Sequence, residues 1–384
     1  MEANRTINML KGRTAKQLMN AALQSIELRS HRSVLHSLPV IIEVVPTHQC
    51  NLKCIFCKKY ETYGDRNVSI DNFKALAKEL LPTALMVNFT SGGEPYMHKQ
   101  LVELLRIARQ YNVMINVSSN GMLLEESLIR TIASEELISE HIFSIDGIKA
   151  STVERIRVNS DLGIILDNIK MFLRIYKELG KSRPSIRIRY ALMRSNIEEL
   201  PEAVQYWGNM GIEALSCNYV SVCRDVDPNE SLYYHQELME EVFDKAVKVS
   251  KHYPKLHLEL PLTIRQAKVQ RKSPRTCKYP WIFAYICGDG RVFPCYQSWG
   301  ANTMGNIYSQ DIDFKKDIWN SSTYQTLRRT ANNDTLTKQF PYCAVCEDRF
   351  GYGDLAAHLG DKTWFEYLDV DPVEKARIIA HRGS

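Results

Sequence analysis

Three cysteines, Cys50, Cys54 and Cys57, fall within the stretch "THQCNLKCIFCKKYE". Thiolates at such short spacing hold iron–sulfur clusters or zinc. A structural zinc site closes a tetrahedron with four ligands. Three thiolates on a short loop leave a site open for something else to complete. On a cubane, one iron would stay free to bind a small molecule. Taken alone, the loop also allows a zinc site completed by His48 or by a distant cysteine.

The remaining cysteines of the chain's 10 are also grouped: Cys217 and Cys223, then Cys277, Cys287 and Cys295, then Cys343 and Cys346. Clustered cysteines in a large chain without a secretion signal read as metal binding in a reducing compartment. The start, "MEANRTINMLKGRTAKQ", lacks the apolar core of a signal peptide, and no apolar run approaches the roughly 18 residues of a membrane span. The expectation is a cytoplasmic protein. Its 384 residues, 45% apolar and 24% charged, are those of a soluble globular chain with room for a large core and an accessory module. The 49 basic and 44 acidic residues leave a net charge of +5, with no dense Lys/Arg run. This excludes a nucleic-acid arm, and no membrane partner is expected.

Positioning such groups takes a scaffold. Strands are predicted at 40–45, 84–90, 113–119, 140–146, 185–193 and 213–220, with helical patterns at 69–81, 98–111, 124–134, 161–180 and 197–210. Strands alternating with helices give βαβ units and a parallel sheet. Six units fit a partial (β/α)6 TIM barrel better than a closed eightfold one. The cysteine loop directly follows the first strand, at the C-terminal mouth where such folds place their chemistry. Residues 1–38 read as an N-terminal helical extension, too short for a peptide-binding domain of its own. Residues 39–225 form the barrel, 226–260 a helical linker, and 261–384 a compact module rich in Cys, Gly, Pro and aromatics.

The CxxxCxxC loop, with Phe56 before its last cysteine, resembles that of the radical S-adenosylmethionine (radical SAM) enzymes. "TSGGEPYMH" after the second strand carries Gly92, Gly93, Glu94 and Pro95, similar to the family's GGEP motif. "INVSSNGMLL" resembles the third-strand segment, with Ser119 and Asn120, and "IFSIDGIKASTVERIR" resembles the fourth-strand one. The resemblance implies that Cys50, Cys54 and Cys57 hold a [4Fe–4S] cluster and that Phe56 approaches the adenine of SAM. Glu94 would anchor the methionine amine, Ser144 would bind the ribose, and Asp146 would sit near ribose or substrate. Arg157 would meet the SAM carboxylate. The implied chemistry is reductive cleavage of SAM to a 5′-deoxyadenosyl radical that abstracts hydrogen, the protein supplying orientation and exclusion of water.

In the C-terminal module, Cys277, Gly290 and Cys295 followed by Cys343 and Cys346 resemble the start of a SPASM domain, the auxiliary-cluster module of many radical SAM enzymes. "TMGNI" fits the same segment. No cysteine follows Cys346, which matches the shortened twitch form. The resemblance implies one auxiliary [4Fe–4S] cluster on Cys277, Cys295, Cys343 and Cys346, with an all-cysteine zinc ribbon as the alternative. Cys287 reads as a buried thiol in a strand before a turn. Cys217 and Cys223, placed near the barrel mouth, read as packing residues or as hydrogen-atom donors. Trp281, Tyr296, Trp299 and His358 are more weakly marked candidates for substrate contact.

A fully ligated auxiliary cluster suits electron transfer. The first expectation is therefore oxidation of a small hydroxylated, sugar- or cyclitol-like molecule. Peptide modification and epimerisation with a cysteine hydrogen donor are the alternatives. The partners implied are a small-molecule substrate and a reductant such as a flavodoxin or ferredoxin.

Overall fold

The computed structural model describes residues 9–57, 67–90, 92–220, 226–263, 265–266, 277–298, 303–332, 335–340, 343 and 346. Its strands are β1 (Ile41–Val44), β2 (Lys53–Cys54), β3 (Met86–Phe89), β4 (Met114–Ser119), β5 (Glu140–Ser144) and β6 (Arg157–Val158). They continue with β7 (Ser185–Leu192), β8 (Ala214–Tyr219), β9 (His257–Glu259), β10 (Phe283–Ile286), β11 (Arg291–Phe293) and β12 (Gly305–Asn306). Ten of them form one sheet in the order β12-β11-β10-β1-β3-β4-β5-β7-β8-β9. The run from β10 to β9 is parallel throughout.

Alternation along these strands sorts side chains to two faces. Ile42 and Val44, Val87 and Phe89, Ile115 and Val117, Ile186 and Ile188, and Leu215 share one face, and all are buried in the main core. The covering helices show matching apolar stripes. Helix Ile70–Leu80 starts at Ser69, whose side chain accepts from the Asn72 N–H, and buries Phe73, Leu76, Ala77 and Leu80. Helix Leu162–Glu178 is capped by Asp161 and buries Ile165, Ile169, Phe172, Ile175 and Tyr176. Each Leu, Ile or Phe among them contributes about 1.5–3 kcal/mol when fully buried.

The other face is polar. Glu43, Asn88, Asn116 and Glu140 sit in register across β1, β3, β4 and β5. Arg187 and Arg189 on β7 and Ser216 and Asn218 on β8 continue it. A closed barrel fills its inside with branched apolar residues; this open one lines its lumen with hydrogen-bonding groups.

Two pairings were not foreseen. β9 lies in the segment read as a linker, yet extends the parallel sheet beyond β8. β10 pairs parallel with β1, so the cysteine-rich module continues the barrel sheet through a β10–β11 hairpin. Gly290, in the turn of that hairpin, has φ +87, and a Cβ there would stand 2.3 Å from Asn306 Oδ1. The glycine of the module's motif is thus demanded by local geometry.

The N-terminal extension does contain a helix, Ala15–Arg29, opened by a capping box between Thr14 and Gln17. Its buried polar residues tie down the chain that follows. Glu27 accepts from the N–H groups of His36 and Ser37 at 2.7 and 3.1 Å. Trp281 and Trp319 then donate their indole N–H groups to the carbonyls of Arg32 and Ser37. Among the described residues, no helix is long and apolar enough to cross a membrane.

Candidate active site

A cavity of about 300 Å³ opens at the C-terminal ends of the strands. Its walls include Cys50, Cys54 and Cys57, with Phe56, Gly92, Gly93 and Glu94 beside them; Ser119, Asn120, Ser144, Asp146 and Arg157 complete the expected set. Four separate strand ends therefore bring together nearly every barrel residue singled out in the sequence. Pro95 lies just outside the wall, buried at the first position of a short 3-10 turn, Pro95–Met97.

The cysteine loop is pinned at four points. β2 pairs antiparallel with β6, which sets Cys54 opposite Arg157. The Asn120 side chain donates to Asn51 Oδ1 at 2.8 Å, and the Glu94 N–H donates to the Gln49 carbonyl at 2.7 Å. The second glycine makes the last contact: a Cβ on Gly93 would lie 2.3 Å from the Thr47 carbonyl oxygen and 2.5 Å from that of Gln49. Gly93 thus makes room for the cysteine loop's own backbone.

Glu94 is fully enclosed. Its Oε2 accepts from the Asn120 N–H at 2.8 Å and its Oε1 from the Tyr96 N–H at 3.1 Å. Burial pushes its carboxyl up to about 7, opposed by those two N–H groups. Behind it, the Tyr96 hydroxyl meets Nε2 of buried His141 at 2.9 Å. Nothing in the sequence marks this support, because a histidine in an apolar strand carries no motif.

Asp146 and Arg157 form a buried ion pair, Oδ2 to Nε, at 2.7 Å. Asp146 Oδ1 also accepts the Ala191 N–H at 2.7 Å. Burial pushes the Asp146 carboxyl up, and the Arg157 charge opposes that. Arg157 Nη1 lies 3.8 Å from Cys54 Sγ, and its guanidinium stands 5.5 Å from the Phe56 ring centroid. Burial pushes the Cys54 thiol up to about 11, against the Arg157 charge and with added repulsion from Cys57 and Cys50. The three thiols therefore sense one another electrostatically.

The donor set fits a cluster that offers one iron to each thiolate. Among the described residues, no three His, Cys, Asp or Glu side chains converge as ligands of a single ion do. A cubane does not require such convergence.

Cys217 does not line the cavity. It sits on the helix-facing side of β8 within the core, and burial drives its thiol well above the ordinary range. The alternation of the strand instead turns Asn218 into the cavity, together with Thr90, Ser118, Arg189 and Ala191 from neighbouring strands. These wall residues were missed, although a polar residue at every second place of an otherwise apolar parallel strand was the available signal. Cys223, Trp299 and His358 lie outside the described residues. Trp281 is core. Tyr296 is 40% exposed, and its hydroxyl donates to Glu43 at 2.8 Å.

The second cysteine set gathers around helix Ser322–Thr330. The Cys277 N–H reaches the Ala331 carbonyl just past that helix, and Cys295 acts electrostatically on buried Tyr324 within it. Cys343 follows helix Leu336–Gln339, its N–H bonded to the Phe340 carbonyl. Cys287 is fully buried at the end of β10 beside Tyr285 and Phe293, as a packing thiol would be. No disulfide joins the described cysteines.

A partial parallel barrel with three thiols at its mouth, followed by a cysteine-rich module, defines an iron–sulfur enzyme class. The model of the radical SAM superfamily matches residues 44–222, and that of the SPASM iron–sulfur cluster-binding domain matches residues 277–347. The chain belongs to the radical SAM superfamily, in its SPASM subgroup, and its cofactors are SAM, a SAM-binding [4Fe–4S] cluster and auxiliary iron–sulfur. It is similar to the tungsten-containing aldehyde ferredoxin oxidoreductase cofactor-modifying protein of Pyrococcus furiosus, 24% identical over 79% of this chain and 86% of that protein. It also resembles the PqqA peptide cyclase of Granulibacter bethesdensis, 24% identical over 74% of this chain and 75% of that protein. The fold matches Streptococcus suis SuiB bound to S-adenosylmethionine, with TM-score 0.64 and 18% identity over 88% of this chain and 80% of that one. SuiB bound to its precursor peptide SuiA gives TM-score 0.60 and 19% identity over 81% and 71%.

Proposed function

We propose that this radical SAM enzyme modifies a peptide. The observation that carries the proposal is the similarity over 74% of the chain to a protein named as a peptide cyclase. The fold shared with SuiB, solved with a precursor peptide, is consistent with it. This reverses the order expected from the sequence, where a hydroxylated small molecule came first because a short auxiliary module suggested oxidation. Modification of a small molecule is the second reading, favoured by the relative from Pyrococcus furiosus, which is named for modifying a cofactor.

When bound, the first cluster and SAM supply the reductive cleavage chemistry of the family. Cys50, Cys54 and Cys57 would hold the cluster, and Glu94, fixed by two backbone N–H groups, would accept the SAM amine. Asp146 locks Arg157 beside the thiols, and the glycine contact keeps the loop seated. In the second module, Cys277, Cys295, Cys343 and Cys346 would hold one auxiliary cluster, in keeping with a division of the chain at residues 38, 225 and 260.

The test is to co-express the protein with short peptides encoded beside its gene and to follow peptide mass. A SAM-dependent mass change, with deuterium passing from labelled peptide into 5′-deoxyadenosine, is the expected result. Inert peptides together with 5′-deoxyadenosine formation stimulated by small polyols would instead restore the small-molecule reading.

A further inference from the structure

The lumen contains two arginines on β7 in different electrostatic situations. Arg187 is paired twice, with Glu140 at 3.0 Å and Glu259 at 2.5 Å, and Ser216 donates to the same Glu259 at 2.7 Å. Across the lumen, Glu43 accepts from Asn88 at 3.1 Å and from the Tyr296 hydroxyl at 2.8 Å. Arg189 lies two residues closer to the cavity, on the same face. Its backbone pairs between Ser144 on β5 and Ser216 on β8. Its side chain is exposed and lines the cavity, and among the described residues it forms no ion pair. The cavity's other guanidinium, Arg157, is already committed to Asp146. The Arg189 charge reaches the Tyr296 phenol, but that hydroxyl is committed to Glu43.

An unpaired guanidinium facing a cavity presents a planar fork of donors whose geometry matches a carboxylate. The surroundings select the charge of the guest. Glu43, Glu140 and Glu259 outnumber Arg187 and Arg189 in the lumen by one charge, so a dianion such as a phosphate is disfavoured more strongly than a single carboxylate, which Arg189 can pair. We propose that Arg189 is the specificity-determining cation of the substrate chamber and takes one carboxylate of the peptide, either an Asp or Glu side chain or the C-terminus, next to the reacting carbon. This rests on the peptide reading above.

The test uses the full-length protein, with its clusters reconstituted without oxygen and SAM bound, in ligand-observed NMR titrations. Three probes separate the sources of the carboxylate: N-acetyl-Ala-Glu-Ala methylamide, its Gln counterpart, and N-acetyl-Ala-Ala-Ala with a free C-terminus. At least one carboxylate probe should bind about tenfold or more tighter than the Gln probe, as a charge-assisted bidentate pair provides. Arg189→Gln should erase that preference and Arg189→Lys should retain part of it, with SAM affinity the same in all three proteins. Equal binding of the three probes, or a preference that survives in Arg189→Gln, overturns the inference and leaves the peptide reading standing. Loss of SAM affinity in Arg189→Gln also overturns it, assigning the arginine to SAM. If no peptide binds but butyrate, a monoanion, does so through Arg189, the carboxylate site stands and the peptide reading falls. If neither binds, the proposal falls.

Discussion

Glu94 combines full burial with acceptance of two backbone N–H groups, and the balance leaves its carboxyl near 7 instead of the ordinary 4.5. The folded protein keeps a proton there that the unfolded chain releases from 4.5 upward. Stability should therefore fall as pH rises from 4.5 to about 7, in the sense set by proton linkage. A cationic amine reverses the preference, because it binds the ionised carboxylate. In the proposed role, SAM affinity should rise about eightfold between pH 6 and 7.5 as the carboxylate ionises. Glu94→Gln should bind SAM more weakly and without that slope, as read by equilibrium dialysis. The motif residues Cys50, Cys54, Cys57 and Glu94 were legible in the sequence because their roles need fixed local spacing. Arg189 and Asn218 were not, since nothing but strand alternation marks a wall residue, and its meaning depends on which face the sheet leaves open.

At the scale of elements, the site depends on the cysteine loop resting against the turn after β3. The Gly93 contact leaves no space for a methyl group against backbone on both sides. Gly93→Ala should destabilise the protein by roughly 1–3 kcal/mol, the range of overpacking, and displace the loop from Glu94. Denaturation and SAM binding should both show the change, whereas Gly180→Ala, with open space around it, should leave SAM binding intact. The six barrel strands were legible from alternating short apolar runs and helical stripes. Their partners at the sheet edges were not. Phe283–Ile286 reads as a strand before a turn, but its pairing with β1 joins residues about 240 apart, and three-residue β9 is too short to carry a period.

At the scale of the whole molecule, two iron–sulfur modules share one sheet, with β10 lying directly against the strand that launches the first cysteine loop. Four cysteines in the second module would complete one cubane, so the reconstituted protein should hold about eight iron atoms, four per cluster. A value near four with one zinc would replace the auxiliary cluster with a ribbon. The class of chemistry was legible from the cysteine spacings, whereas the substrate was not, because it meets a chamber built from side chains far apart in the chain. The most direct test is anaerobic reduction of the reconstituted protein with SAM, with 5′-deoxyadenosine quantified beside a Cys50→Ala, Cys54→Ala, Cys57→Ala variant. The native protein should form 5′-deoxyadenosine, and the triple variant should form no more than a protein-free control while keeping the iron of the second module. Continued 5′-deoxyadenosine formation by the triple variant would contradict the assignment of this loop as the site of SAM cleavage.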